Sequence, residues 1–177
     1  KKFNQLGYNC LAIDARSGDK CNDMTNETAK RAKAAKKGTD YMDAEQDIIA
    51  AIDYISNKTG EKVVLVGSSY SAALALKIGK ANENVEAVLA FSPGEYLKNV
   101  DVAAEVKGFS KPVFITSAKK EAKDYEKIAA GIESSVKDIF VPSEEGIHGS
   151  RALWEETKNH SEYWEAVEKF IAKLKGA

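Results

Sequence analysis

Cysteine, proline and histidine are scarce, with two, three and two among 177 residues. Cys10 lies in an apolar segment and Cys21 in a polar one, too few for a disulfide framework and without metal-ligand spacing. Any chemistry that needs imidazole must fall on His148 or His160. An excess of charge is also lacking: 26 basic residues face 27 acidic ones, interspersed along the chain, for a formal net charge of -1. That balance leaves no electrostatic footprint for nucleic acid or an anionic membrane. No apolar run approaches the roughly 20 residues that cross a bilayer, and no basic, apolar, small-residue cleavage pattern opens the chain. The sequence therefore reads as soluble, with no nucleic-acid or membrane partner. Oligomeric state and compartment are not encoded, with the cytoplasm slightly favoured.

What is present suffices for one ordinary core: 44% of the residues are hydrophobic, and a chain of this size buries most of its apolar surface. We expect a single domain over residues 1–177. Short apolar runs alternate with longer amphipathic ones. Strands are expected at 9–14, 62–66, 85–92, 111–117 and 137–141, and helices at 41–57, 71–81, 122–134 and 161–175. In the last helix Trp164, Val167, Phe170, Ile171 and Leu174 form one apolar stripe. Strands separated by helices imply right-handed crossovers and a mostly parallel sheet with helices on both faces, the α/β class. The polar segment 15–40 is longer than an ordinary strand-to-helix connection. It reads as a solvated loop with a short helix near 28–36, or as a wall over a site. Residues 1–7 read as the last turn of a helix closed by Gly7, so earlier strands are expected to precede residue 1.

One turn carries chemistry. The aliphatic run Val63-Val64-Leu65-Val66 leads into Gly67-Ser68-Ser69-Tyr70-Ser71 and then a small-residue helix. Ligands of open α/β sheets bind at the carboxyl ends of strands, where Ser69 falls. Small residues two before and two after a serine let the backbone turn sharply and project its hydroxyl, and Gly67 and Ser71 meet that requirement. The helix that follows aims N–H groups at the same place, so the Tyr70 N–H is a candidate oxyanion donor. The competing reading of a serine-rich turn is a helix cap.

A serine hydroxyl needs a base. His148, directly after the last expected strand, lies at the same sheet end as Ser69, whereas His160 at the start of the final helix suits a surface or capping role. The acid that orients the base belongs at a strand end between the two. Glu121 ranks first, followed by Glu95 in the turn Ser92-Pro93-Gly94-Glu95-Tyr96 and then Asp124.

The Gly67–Ser71 elbow, the segment Ile13-Asp14-Ala15-Arg16-Ser17-Gly18, the Ser92–Tyr96 turn and His148-Gly149-Ser150 together resemble the α/β-hydrolase superfamily, most closely its dienelactone-hydrolase-like members. The resemblance spans nearly the whole chain. It implies a serine hydrolase acting on carboxylic esters of small or medium substrates, with Ser69 as nucleophile, His148 as base, Glu121 as acid and no cofactor. Glu95, Tyr96 and Trp154 are candidate pocket residues for the small-molecule ester. Ser71 stands where the family pattern usually has glycine. The oxyanion loop expected before the first helix has no counterpart here, so the fold is expected to lack its N-terminal strands. Other activities compatible with these residues are thioesterase or acyltransferase chemistry, or binding without catalysis on the same fold.

Overall fold

The computed structural model describes residues 1–18 and 23–176, so Cys21 and part of the expected 15–40 loop lie outside the described residues. The chain divides into two compact units, Lys1–Glu61 and Lys62–Ala177.

The first unit is helical. Helix α1 (Lys2–Gln5) closes at Gly7, whose φ of 91° is open to glycine at little cost. Helix α2 (Glu27–Ala34) is capped by Asn26, whose Oδ1 accepts the Ala29 N–H at 2.8 Å while its Nδ2 donates to the Ala15 carbonyl at 2.8 Å. Helix α3 (Glu45–Thr59) follows a 3-10 turn (Tyr41–Ala44), buries Ile48 and Ile52, and stops at Gly60 in the left-handed conformation. Arg16 grips Asp47 of α3 with its backbone N–H and its guanidinium, the shortest contact being Nη2 to Oδ1 at 2.6 Å. Burial works to raise the Asp47 pKa, but the side-chain and backbone hydrogen bonds from Arg16 outweigh it and hold the carboxyl below its ordinary value.

The strand expected at 9–14 does not form. A strand exists through its ladder of inter-strand hydrogen bonds, and residues 9–14 pair with no strand among the described residues. Their aliphatic side chains Leu11 and Ile13 are exposed.

The second unit holds a parallel four-stranded sheet in the order β1 (Val63–Ser68), β2 (Val85–Phe91), β3 (Val113–Thr116), β4 (Lys137–Phe140). Helix α4 (Tyr70–Ala81) connects β1 to β2, and its run of Ala and Leu is almost entirely buried. The short helix α5 (Val102–Glu105) lies between β2 and β3. Between β3 and β4 the expected 122–134 helix is replaced by a 3-10 turn (Lys119–Tyr125) and a brief α6 (Glu126–Ala130). The chain leaves the helix there because Gly131 and Glu133 spend their backbone groups on Gly108 and Phe109, at 2.8 and 2.9 Å.

Helix α7 (His160–Lys175) closes the unit and buries Tyr163, Val167, Phe170 and Ile171. Register decides which helices face which side. Leu89 pairs with Phe114, and Phe114 meets Phe170 of α7 with ring centroids 5.8 Å apart. Val88 points the other way, against Gly79 of α4. Helices therefore cover both faces, as expected for the α/β class. Each fully buried side chain such as Leu74, Leu89 or Phe114 contributes about 1.5–3 kcal/mol. That core holds the four strand ends at fixed spacing.

Candidate active site

The four strands each deliver residues to one sheet end: Ser68 and Ser69 at β1, Ser92 at β2, Glu121 beyond β3 and His148 beyond β4. The turn from β1 to α4 is a single residue. Ser69 adopts φ 59° and ψ -128°, a sparsely populated conformation that costs a non-glycine residue about 1–3 kcal/mol. A capping serine would sit in the extended region and accept a helix N–H with its hydroxyl. Ser69 does neither, and its hydroxyl has no hydrogen-bond partner among the described residues. Its backbone N–H is tied to the Phe91 carbonyl at 2.8 Å, which anchors the turn to β2.

The neighbouring residues make that turn possible. A β-carbon at position 67 would strike the Ser71 carbonyl and the Ala72 backbone, so only glycine fits. Ser71, where a second glycine is usual, adds a staple: its Oγ donates to the Ser68 carbonyl at 2.8 Å and accepts the Ser68 N–H at 2.9 Å. Ser68 in turn uses its own hydroxyl to accept the Ser150 N–H at 2.9 Å. The three serines of this turn thus have three separate positions in the network.

His148 Nδ1 lies 2.8 Å from Glu121 Oε1. A carboxylate only accepts, so Nδ1 carries a proton, and in the neutral ring the lone pair lies on Nε2. The ring is 45% exposed and the Glu121 side chain 16%. Glu121 Oε2 accepts from the Ser92 hydroxyl at 2.8 Å and from the Ala118 N–H at 3.2 Å. The histidine loop is fastened twice, through Gly149 N–H to Ser92 Oγ at 2.8 Å and through Ser150 to Ser68. Gly149 has φ 69° and packs on Ser68 Oγ, so a β-carbon there would be both strained and obstructed. Behind the loop, the buried Tyr163 hydroxyl donates to the Ser117 carbonyl at 3.0 Å and accepts the Ile147 N–H. It ties the acid's segment to the histidine's. Burial pushes this phenol up to about 12, with the Ile147 bond pulling the other way.

The remaining candidates fall elsewhere or at the margin. His160 Nδ1 faces the Thr157 carbonyl at 2.9 Å and has no part in this network. The Glu95 carboxylate accepts the Val102 and Ala103 N–H groups at 2.7 and 3.0 Å, capping α5. Asp124 is exposed on the 3-10 turn. Tyr96 stands edge-on to His148, with ring centroids 6.5 Å apart, and burial, then the charges of Glu121 and Asp124, raise its phenol pKa. Tyr70 is the first residue of α4. Trp154 is exposed under the Arg151 guanidinium, 5.2 Å from its ring. Both line a cavity of about 610 Å³ with Lys119, Ile147 and Asn159. Ser69, Glu121 and His148 do not line it, so it flanks the histidine loop and is not the centre of the network. Sequence reasoning missed Ser68, Ser92 and Tyr163. Ser92 carried a signal, since it ends a strand at the same sheet edge as Ser69.

The profile of the Dienelactone hydrolase family matches residues 1–161. No curated protein matches the chain. Among solved structures, a Pyrococcus furiosus esterase aligns with TM-score 0.58 and 15% identity, covering 73% of this chain and 62% of its own. The chain thus spans less than two thirds of that esterase. Est1E of Butyrivibrio proteoclasticus with ferulic acid bound gives 0.63 and 13%, over 80% and 73% of the two chains. A monoacylglycerol lipase of Paleococcus ferrophilus gives 0.57 and 13%, over 78% of each. At such identities the likeness speaks for the fold, the α/β-hydrolase fold. The family match covers nearly all of the sequence: this chain belongs to the dienelactone hydrolase family.

Proposed function

We propose that this chain carries the catalytic centre of a serine hydrolase that cleaves carboxylic esters of small or medium substrates, with Ser69 as nucleophile, His148 as general base and Glu121 as the acid that orients it. The observation that carries the reading is the 2.8 Å bond between His148 Nδ1 and Glu121 Oε1. It leaves the Nε2 lone pair available on a loop tied to Ser68, the residue next to Ser69. Family membership supports the same chemistry.

Ser69 Oγ attacks the ester carbonyl carbon while His148 Nε2 takes its proton, giving a tetrahedral oxyanion and an imidazolium facing Glu121. Tyr70, at the N-terminus of α4, offers its N–H to the oxyanion, where the positive end of the helix dipole also acts. Collapse breaks the bond to the leaving alkoxide, which takes the proton from His148. Water then attacks the acyl-serine with His148 again as base, the acid leaves and Ser69 regains its proton. Catalytic hydrogen bonds tighten in the substrate complex, which is where the Ser69 hydroxyl meets His148. Tyr96 beside the imidazole and Trp154 beyond the loop contact the ester's side groups, and Glu95 stays with α5.

A panel containing a short alkyl ester, a hydroxycinnamoyl ester and a monoacylglycerol tests this. Hydrolysis of one or more by the wild type, abolished in a folded Ser69→Ala variant, is the expected result. Undiminished hydrolysis by Ser69→Ala removes Ser69 from the role.

A further inference from the structure

Ser92 sits at the carboxyl end of β2, 1% exposed, with φ 53°. A non-glycine residue is strained in that region, and glycine would occupy it freely. What serine adds is a hydroxyl, with one bond to Glu121 of the proposed catalytic pair and the other to Gly149, the residue after His148. Its Oγ lies 2.8 Å from Glu121 Oε2 and 2.8 Å from the Gly149 nitrogen. The amide can only donate and the carboxylate can only accept, so the direction is fixed: Gly149 N–H donates to Ser92 Oγ, and Ser92 O–H donates to Glu121. The Ser92 N–H is held by the Thr116 carbonyl at 2.6 Å, which leaves the side chain little freedom to turn away.

We propose that Ser92 is the positioning residue of the Glu121–His148 pair, a role that rests on the serine-hydrolase reading above. Glu121 has one oxygen on His148 and the other on Ser92, so the hydroxyl blocks rotation of the carboxylate. The same hydroxyl receives the N–H of the residue that follows His148, so it also fixes the loop on which the imidazole rides. Ring and carboxylate thereby share one tether, beside the longer Ala118 N–H contact to Glu121 and the Ser150 bond to Ser68 that each has separately. Removing it lets the carboxylate turn and leaves the buried Gly149 N–H unpaired, and the population with Nε2 aimed at Ser69 falls. The substrate surface is untouched, so the loss belongs in kcat and not in KM.

Ser92→Ala and Ser92→Gly both delete the hydroxyl, and the glycine variant relaxes the strained backbone, which guards against a fold defect in the alanine one. Thermal unfolding identifies the folded variants. In these kcat is expected to fall roughly 10- to 100-fold, the scale of an ångström's misplacement, with KM within about twofold. Because Ser92 acts in part through Glu121, the same substitution in a Glu121→Gln background should cost clearly less, the remainder being its hold on the Gly149 N–H. In proton NMR of the wild type, the Nδ1–H resonance lost in His148→Asn is expected to broaden into solvent exchange in both Ser92 variants. A folded variant with wild-type kcat, an equal cost in both backgrounds, or an unchanged Nδ1–H resonance overturns the proposal. If the wild type hydrolyses no ester, the serine-hydrolase reading fails by itself, and the resonance still decides: its loss in the variants supports the Ser92 role and its retention refutes it.

Discussion

Ser68 Oγ accepts the Ser150 N–H at 2.9 Å, joining the residue before the proposed nucleophile to the second residue after the proposed base. Two segments 82 residues apart in sequence meet there. The order Gly-Ser-Ser-Tyr-Ser follows from such contacts, because Ser68 holds the histidine loop, the Ser69 hydroxyl has no partner among the described residues and Ser71 staples the turn.

Replacing Ser68 by alanine should cost about 1 kcal/mol, the net worth of one hydrogen bond, and lower kcat roughly tenfold through a looser His148. Urea unfolding and steady-state kinetics on the same preparation check both. Unchanged kcat at reduced stability makes the contact purely structural.

Gly67 and Ser71 should respond in opposite degree. Gly67→Ala drives a methyl group into the Ser71 carbonyl and should abolish activity together with an overpacking cost of about 1–3 kcal/mol. Ser71→Gly loses two bonds to the Ser68 backbone and should cost about 1–2 kcal/mol while retaining most of the turnover. Thermal midpoints and ester turnover separate the two.

The alkaline limb of stability should depend on Tyr163. Its folded pKa is raised from 10.0 to about 12 by burial, so the folded state holds a proton that the unfolded state releases. The stabilisation is full below pH 10 and is lost as pH rises through 12. Tyr163→Phe should flatten this limb in denaturation midpoints measured from pH 9 to 12. The slope should not vanish, because burial raises Tyr125 as well. An unaltered slope would place the phenol's titration elsewhere.

Acid acts on the first unit through Asp47. Its folded pKa lies below the ordinary 3.8, so its stabilisation is present above that value and is lost as pH falls through the folded pKa. Asp47→Asn should cost about 2 kcal/mol near neutral pH, the scale of hydrogen bonds to a charged group. The gap to wild type should narrow towards pH 3, which urea midpoints at the two pH values measure.

Much of this architecture was legible in the sequence because it follows from local pattern. The aliphatic runs before Gly67 and Ser92 and the alanine-rich stretch after Ser69 have the periods of strand and helix. Their order makes Ser69, Glu121 and His148 strand-end residues. Residues 9–14 show the limit of pattern, since pairing decides whether an apolar run becomes a strand. The 122–134 helix gave way because Gly131 and Glu133 bond to residues more than 20 positions earlier, a competition invisible to local periodicity. In sequence Ser92 reads only as part of a turn, and Tyr163 is not singled out, for the same reason: Ser92 meets Gly149 across 57 residues and Tyr163 meets Ser117 across 46. Glu95 is different, because its partners are only seven and eight residues away: its carboxylate reads as a triad candidate until the short helix α5, which no periodicity announces, presents its two N–H groups.

The most direct test of the central claim is the rate and site of covalent labelling by a fluorophosphonate, which reports an activated serine without knowledge of the substrate. Mass analysis of digested protein should place one adduct on Ser69 in the wild type and none there in Ser69→Ala. Glu121→Gln should slow labelling by orders of magnitude, while Glu95→Gln should label at the wild-type rate. Folded wild-type protein that acquires no adduct, or acquires it on another serine, contradicts the account.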